Sequence, residues 1–123
     1  MQPIKEINAF ACDPAGVWLT RFPYTKVRIK ELPAGIEGVV QAAYLALSNT
    51  VVCAPDKCES VFFSSVVHEL YHAYQRHTLG IFRYLLLKTF CRKELETGAK
   101  AAELDAVTWY CERRHDHVFE DRS

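Results

Sequence analysis

The stretch VVHELYHAYQ, residues 66–75, sets two histidines four positions apart, with a glutamate directly after the first. In an α-helix each residue turns about 100°, so His68 and His72 stand on one face, about 6 Å apart between Cβ atoms. Two imidazoles at that spacing reach a single zinc ion at about 2.0–2.1 Å each. Glu69 lies about 100° from His68 around the axis and about 60° from His72, so its carboxylate can face the same cavity. Zinc lowers the pKa of a coordinated water towards about 7, and a carboxylate beside it can take a proton and pass it to a leaving amine. A chain of this composition would hold about 0.02 matches to H-E-x-x-H by independent placement, so coincidence is a weak explanation. Val66, Val67, Leu70, Tyr71 and Tyr74 supply the apolar flank that buries such a helix.

Two histidines leave a catalytic zinc site short of the usual third protein ligand. His77 points to a different face, and His115 and His117 sit in the charged run RRHDHVFEDRS. Glu103 is better placed, because a lone carboxylate on a face made of Ala99, Ala102, Ala106 and Val107 needs a buried partner. Asp105 is the competing ligand on that helix. Peptide hydrolysis also needs a donor for the oxyanion. Tyr71, Tyr74, Tyr84 and Tyr110 qualify by type, with Tyr110 first because it stands two helical turns after Glu103 on the same face.

Around these motifs the chain reads as a single domain over residues 1–123, with 114–123 expected to be a flexible tail. Residues 17–22 are rich in strand formers and are followed by a turn, and KVRIKEL (26–32) alternates with period two, so a hairpin is expected. The spacing of Ile36, Val39, Val40, Ala43, Tyr44 and Leu47 predicts a short helix over 35–47, and TVVCA (50–54) predicts another strand. Asp56 or Ser60 is available to cap a helix over 60–77. An apolar helix over 81–90 and a helix over 94–113 follow. Strands first and helices after make the fold class α+β.

Lysine plus arginine and aspartate plus glutamate both number 15, so net charge gives no argument for nucleic acid or an acidic membrane as partner. No stretch approaches the roughly 20 apolar residues that span a bilayer. The first ten residues lack the apolar run of a signal peptide, which makes a cytoplasmic location the expectation. Five cysteines, an odd number, read mainly as free thiols, with Cys53 and Cys58 close enough in sequence to pair under oxidation.

HELYHAYQ, GIFRYLLLK and AELDAVTWY together resemble the gluzincin branch of the zincin metallopeptidases, most closely the minigluzincins and related small bacterial HExxH domains. The resemblance covers residues 51–110, about half the chain. In those proteins an H-E-L-x-H-x-x-Q helix is followed by an apolar helix and by a glutamate helix of the form E-x-x-A. It implies a small zincin-like α+β domain and a zinc-dependent peptidase, with His68, His72 and Glu103 as ligands and Glu69 as general base. It also implies that an edge strand, here 50–54, lies antiparallel to a bound peptide, a common way to hold an extended chain. Larger gluzincins often carry an acidic residue four positions after the ligand glutamate, bonded to a metal histidine. Val107 stands there, so the carboxylate that orients a metal imidazole is not identified. The alternative is a non-catalytic, zinc-stabilised binding domain of the same fold.

Overall fold

The computed structural model describes residues 3–31, 42–53 and 59–122, with side chains described over 5–30, 42–53 and 63–113. Among them the chain is α+β and mostly helical. It comprises helix α1 (Pro3–Ala11), strands β1 (Arg28–Glu31), β2 (Ala42–Leu45) and β3 (Thr50–Cys53), and helices α2 (Glu59–Leu79), α3 (Ile81–Phe90) and α4 (Arg92–Arg122). No helix of the described residues is long and apolar enough to cross a membrane.

α1 has no counterpart in the sequence expectation, although Ile7, Phe10 and Ala11 are buried with helical spacing. The strand expected over 17–22 is instead a 3₁₀ helix, Pro14–Arg21. Asp13 caps it by accepting a hydrogen bond from the Ala15 N–H at 2.9 Å, and Pro14 fixes the first turn. Gly16, Leu19 and Phe22 recur every three residues and are all buried, which is the period of a 3₁₀ helix rather than of a strand. A Cβ at Gly16 would run into the Phe10 carbonyl, so this segment can lie flush against α1 only with glycine there.

The period-two strand is present as β1, while Leu32 lies outside the described residues. The helix expected over 35–47 is not found where it is described: residues 42–45 form β2, and 35–41 lie outside the described residues. Tyr44 turns inward on β2 and Leu45 outward, so period two overrides the three- and four-residue spacing. β2 and β3 form an antiparallel hairpin closed by Asn49 at φ 52°, a conformation asparagine tolerates well. The Tyr44 hydroxyl donates to Asn49 Oδ1 at 2.6 Å and ties the turn to the strand.

β1 runs parallel to β3, giving the order β1-β3-β2. The strand expected as an edge, Thr50–Cys53, is therefore the middle of the sheet, and Ala54 lies outside the described residues. Thr50, Val51 and Cys53 are all buried, as a central strand requires. Among the described residues the edges are β1 and β2.

The sheet packs on α2, whose core stripe is Phe63, Val66, Val67, Leu70 and Ala73. α2 and α3 fall close to their expected ranges, joined by Gly80 at φ 87°. Of the expected caps, Asp56 lies outside the described residues, and Ser60 falls inside α2 rather than ahead of it. α4 runs through Arg122, over the stretch expected to be a flexible tail. The side chains of His115 and His117 lie outside the described residues, as does Cys58. Leu95, Ala99, Ala102, Ala106 and Tyr110 form the buried stripe of α4, and its three alanines let it lie closely along α2.

Candidate metal centre

Because the core stripe of α2 centres on Val66 and Leu70, His68 and His72 emerge beside it, towards α4. Their ring centroids are 5.1 Å apart. The Nε2 atoms of both rings face the same carboxylate: His68 Nε2 lies 3.1 Å from Glu96 Oε2, and His72 Nε2 lies 3.1 Å from Glu96 Oε1. Glu96 stands in the second turn of α4, next to the buried Leu95 that presses this turn against α2.

The outer nitrogens are engaged differently. His72 Nδ1 is 2.9 Å from Gln75 Oε1, and Gln75 Nε2 donates to the Leu95 carbonyl at 3.0 Å. A carbonyl accepts only, so the Gln75 amide must present its oxygen to His72, and His72 Nδ1 must carry the proton. The His72 Nε2 lone pair is thereby aimed at the Glu96 side. Burial lowers the His72 pKa, against opposing pulls from Gln75 and Glu96, so the ring is neutral near pH 7. A neutral Nε2 and a carboxylate oxygen are both acceptors, and at 3.1 Å they need a cation or a shared proton between them.

The donor set fits a metal. Two ligand atoms held at about 2.0–2.1 Å in a tetrahedral site lie about 3.3–3.4 Å apart, close to both Nε2–carboxylate separations. His68, Glu69 and His72 also form a group whose possible ligand atoms all lie within 4.8 Å of one another. Within that group Glu69 Oε2 is 3.9 Å from His68 Nε2, against 3.1 Å for Glu96 Oε2, so by this distance Glu96 is the better candidate for a third ligand.

Glu103, expected as the third ligand, reaches the other side of the His68 ring. Its Oε1 is 2.7 Å from His68 Nδ1, off the line of the ring N–H, so the contact is an ion-pair approach without hydrogen-bond alignment. Its side chain is 43% exposed rather than buried among the alanines. That position, behind the ligand imidazole, is where an orienting carboxylate belongs. Asp105 is exposed.

Glu69 faces β2 and accepts a hydrogen bond from the backbone N–H of Tyr44. Burial pushes its carboxyl up to about 7; His68 and the Tyr44 N–H pull it down, and Glu96 and Glu103 push it up. A cavity of about 220 Å³ opens here, lined by Ala42, Ala43 and Tyr44 of β2, Glu69, His72 and Glu96 of the centre, and Tyr84, Lys88, Arg92 and Leu95.

Of the four tyrosines expected as oxyanion donors, Tyr84 lines this cavity and the other three do not. Tyr110 packs in the core with its ring centroid 5.3 Å from Phe63. Tyr71 and Tyr74 pack against Trp18, at 4.9 and 5.7 Å. Tyr84 is almost fully buried, 6.4 Å from His72 between ring centroids. Burial and its acidic neighbours raise the Tyr84 pKa, which keeps the phenol protonated as a donor.

Comparison of the chain with protein-family models, with curated proteins and with solved structures finds no match.

Proposed function

We propose that the chain is a small zinc-dependent peptidase of the gluzincin kind, with His68, His72 and Glu96 holding the metal. The observation that carries this reading is the pair of Nε2 atoms, each 3.1 Å from a Glu96 oxygen, with the His72 lone pair aimed there by Gln75. When bound, a zinc ion would polarise a substrate carbonyl and make water a better nucleophile. Glu69, anchored by the Tyr44 N–H, takes the proton of the attacking water and returns it to the leaving amine. Tyr84 donates its hydroxyl hydrogen to the oxygen that becomes negative. Glu103 holds the His68 ring from behind.

The peptide is proposed to lie along β2 rather than β3, since β2 is the edge that borders the cavity. In an antiparallel edge strand, a residue's N–H and C=O point the same way and alternate residues share that direction. Tyr44 directs its N–H outward to Glu69, so Ala42 directs its own N–H and C=O outward, and these groups would pair with an extended substrate.

The test is metal content together with digestion of a peptide library. About one zinc per chain and cleavage are expected, with Glu69→Gln keeping the metal and losing cleavage. Tyr84→Phe should lower kcat by about 10²- to 10³-fold. Absence of metal, even after incubation with micromolar zinc, would remove the metal centre altogether. Bound zinc with no cleavage, and no consequence of Glu69→Gln, would leave a zinc-stabilised binding domain.

A further inference from the structure

The cavity has two electrostatic halves. Its floor carries Glu69, His72 and Glu96, and its rim carries Lys88, from the last turn of α3, and Arg92, the first residue of α4. Both cations are exposed, and neither makes an ion pair among the described residues. The floor has no carboxylate to spare for them. In the peptidase reading, Glu69 and Glu96 together balance a divalent ion, while Glu103 lies behind His68 and does not line the cavity. With the metal bound, Lys88 and Arg92 are the uncompensated charges of the cavity. The first turn of α4 also lines it, through Arg92 and Leu95, and brings the positive end of the helix dipole to the same place.

We infer that Lys88 and Arg92 form an anion subsite that takes a carboxylate of the peptide substrate next to the scissile bond. The inference rests on the peptidase reading and adds a substrate class to it: peptides cut close to a C-terminal carboxylate or to an acidic side chain. Arg92 supplies a planar fork suited to a carboxylate, and Lys88 a mobile point charge. A cavity of about 220 Å³ accommodates one side chain or a chain end rather than a long segment. The small side chains of Ala42 and Ala43, which also line the cavity, take up little of that space.

The test measures binding rather than turnover, using zinc-loaded Glu69→Gln protein and calorimetry. Three probes are compared: N-acetyl-tetra-alanine with a free carboxylate, its C-terminal amide, and the amide of N-acetyl-Ala-Ala-Glu-Ala. At least one carboxylate probe should bind about tenfold or more tightly than the neutral amide, and whichever does so identifies the source of the carboxylate. In the Lys88→Gln/Arg92→Gln background that preference should vanish, with zinc affinity and thermal midpoint unchanged. Equal binding of all three probes would overturn the subsite and leave the peptidase reading intact. A preference that survives the double substitution would also overturn it, because the carboxylate would then be bound by the metal itself. Failure of every probe to bind zinc-loaded protein would overturn the subsite and the peptide substrate together.

Discussion

Helix α2 presents two flanks of opposite character. On one, Tyr71 and Tyr74 meet Trp18 and Phe22 of the N-terminal segment, with ring centroids between 4.9 and 5.7 Å apart for Trp18–Tyr71, Trp18–Tyr74 and Phe22–Tyr74. On the other, His68, His72 and Gln75 meet Glu96, Glu103 and Leu95 of α4. The aromatic flank is held by ring contacts, which need no ligand. The polar flank sets the His72 Nε2 lone pair against a carboxylate oxygen, an arrangement that becomes favourable with a cation or a shared proton between them. One flank therefore holds the fold whatever the solution contains, and under the proposed function the other adds stability when the metal is bound. Stability and metal binding should respond to separate sets of substitutions.

The largest expected break in that separation is at Trp18. Trp18→Ala should cost about 3 kcal/mol of unfolding free energy, at the low end for a tryptophan because the ring is partly exposed. Trp18→Phe should cost much less, since the indole Nε1 is buried without a hydrogen-bond partner among the described residues, and its loss breaks no bond. Denaturant unfolding reads both values. Equal losses for the two variants would mean that the indole makes a polar contact the packing does not account for. Both variants should still bind one zinc per chain, and zinc at about 100 times its Kd should stabilise each, like the parent, by about 2.7 kcal/mol.

Next in size is Glu96. Glu96→Ala should weaken zinc binding by more than about 100-fold, or about 2.7 kcal/mol, and should abolish zinc-dependent stabilisation. Glu103→Ala should weaken it less, by about 10- to 100-fold, the range for a residue that orients a ligand from behind. Competition with a chromogenic chelator gives both affinities. The opposite order would return Glu103 to the ligand position.

The histidine helix is legible because its period is intrinsic: histidines four apart between apolar positions specify a face wherever the helix packs. Glu103 meets a competitor in Glu96 for a related reason. Glu96-Thr97-Gly98-Ala99 and Glu103-Leu104-Asp105-Ala106 both have the form E-x-x-A, and periodicity places both glutamates beside the same buried stripe. Which of them faces the Nε2 atoms depends on how far α4 slides along α2, a packing outcome that no local pattern encodes. A helix offset by two turns exchanges their roles. Gly98 was the available signal, since a glycine inside a helix marks a close approach, and the ligand belongs near that approach. TVVCA carried its own signal too. After Thr50 it is an apolar run without alternation, which marks a central strand rather than an edge. The 3₁₀ segment escaped because Val17 to Phe22 has strand-like composition, while its period of three shows only when Gly16 is counted with Leu19 and Phe22.

The smallest expected effect joins the two flanks and is the most informative about them. A Cβ on Gly98 would sit 2.8 Å from Tyr71 Cε1 and 3.3 Å from Gln75 Nε2, touching an aromatic of one flank and the amide that orients His72 on the other. Alanine at this helical position should gain about 1 kcal/mol over glycine from backbone propensity. Tyr71 cannot swing aside freely, because its ring is held between Trp18 and Tyr74, so α4 must shift outward by a few tenths of an ångström. The gain and the strain should nearly cancel, leaving the unfolding free energy of Gly98→Ala within about 1 kcal/mol of the parent. Zinc affinity should fall several-fold even so, because the same shift loosens Gln75 from the Leu95 carbonyl and frees the His72 ring to turn. A Gly98→Ala protein with lower stability and unchanged zinc affinity would place the strain on the aromatic flank alone, and the two sides of α2 would then be mechanically independent.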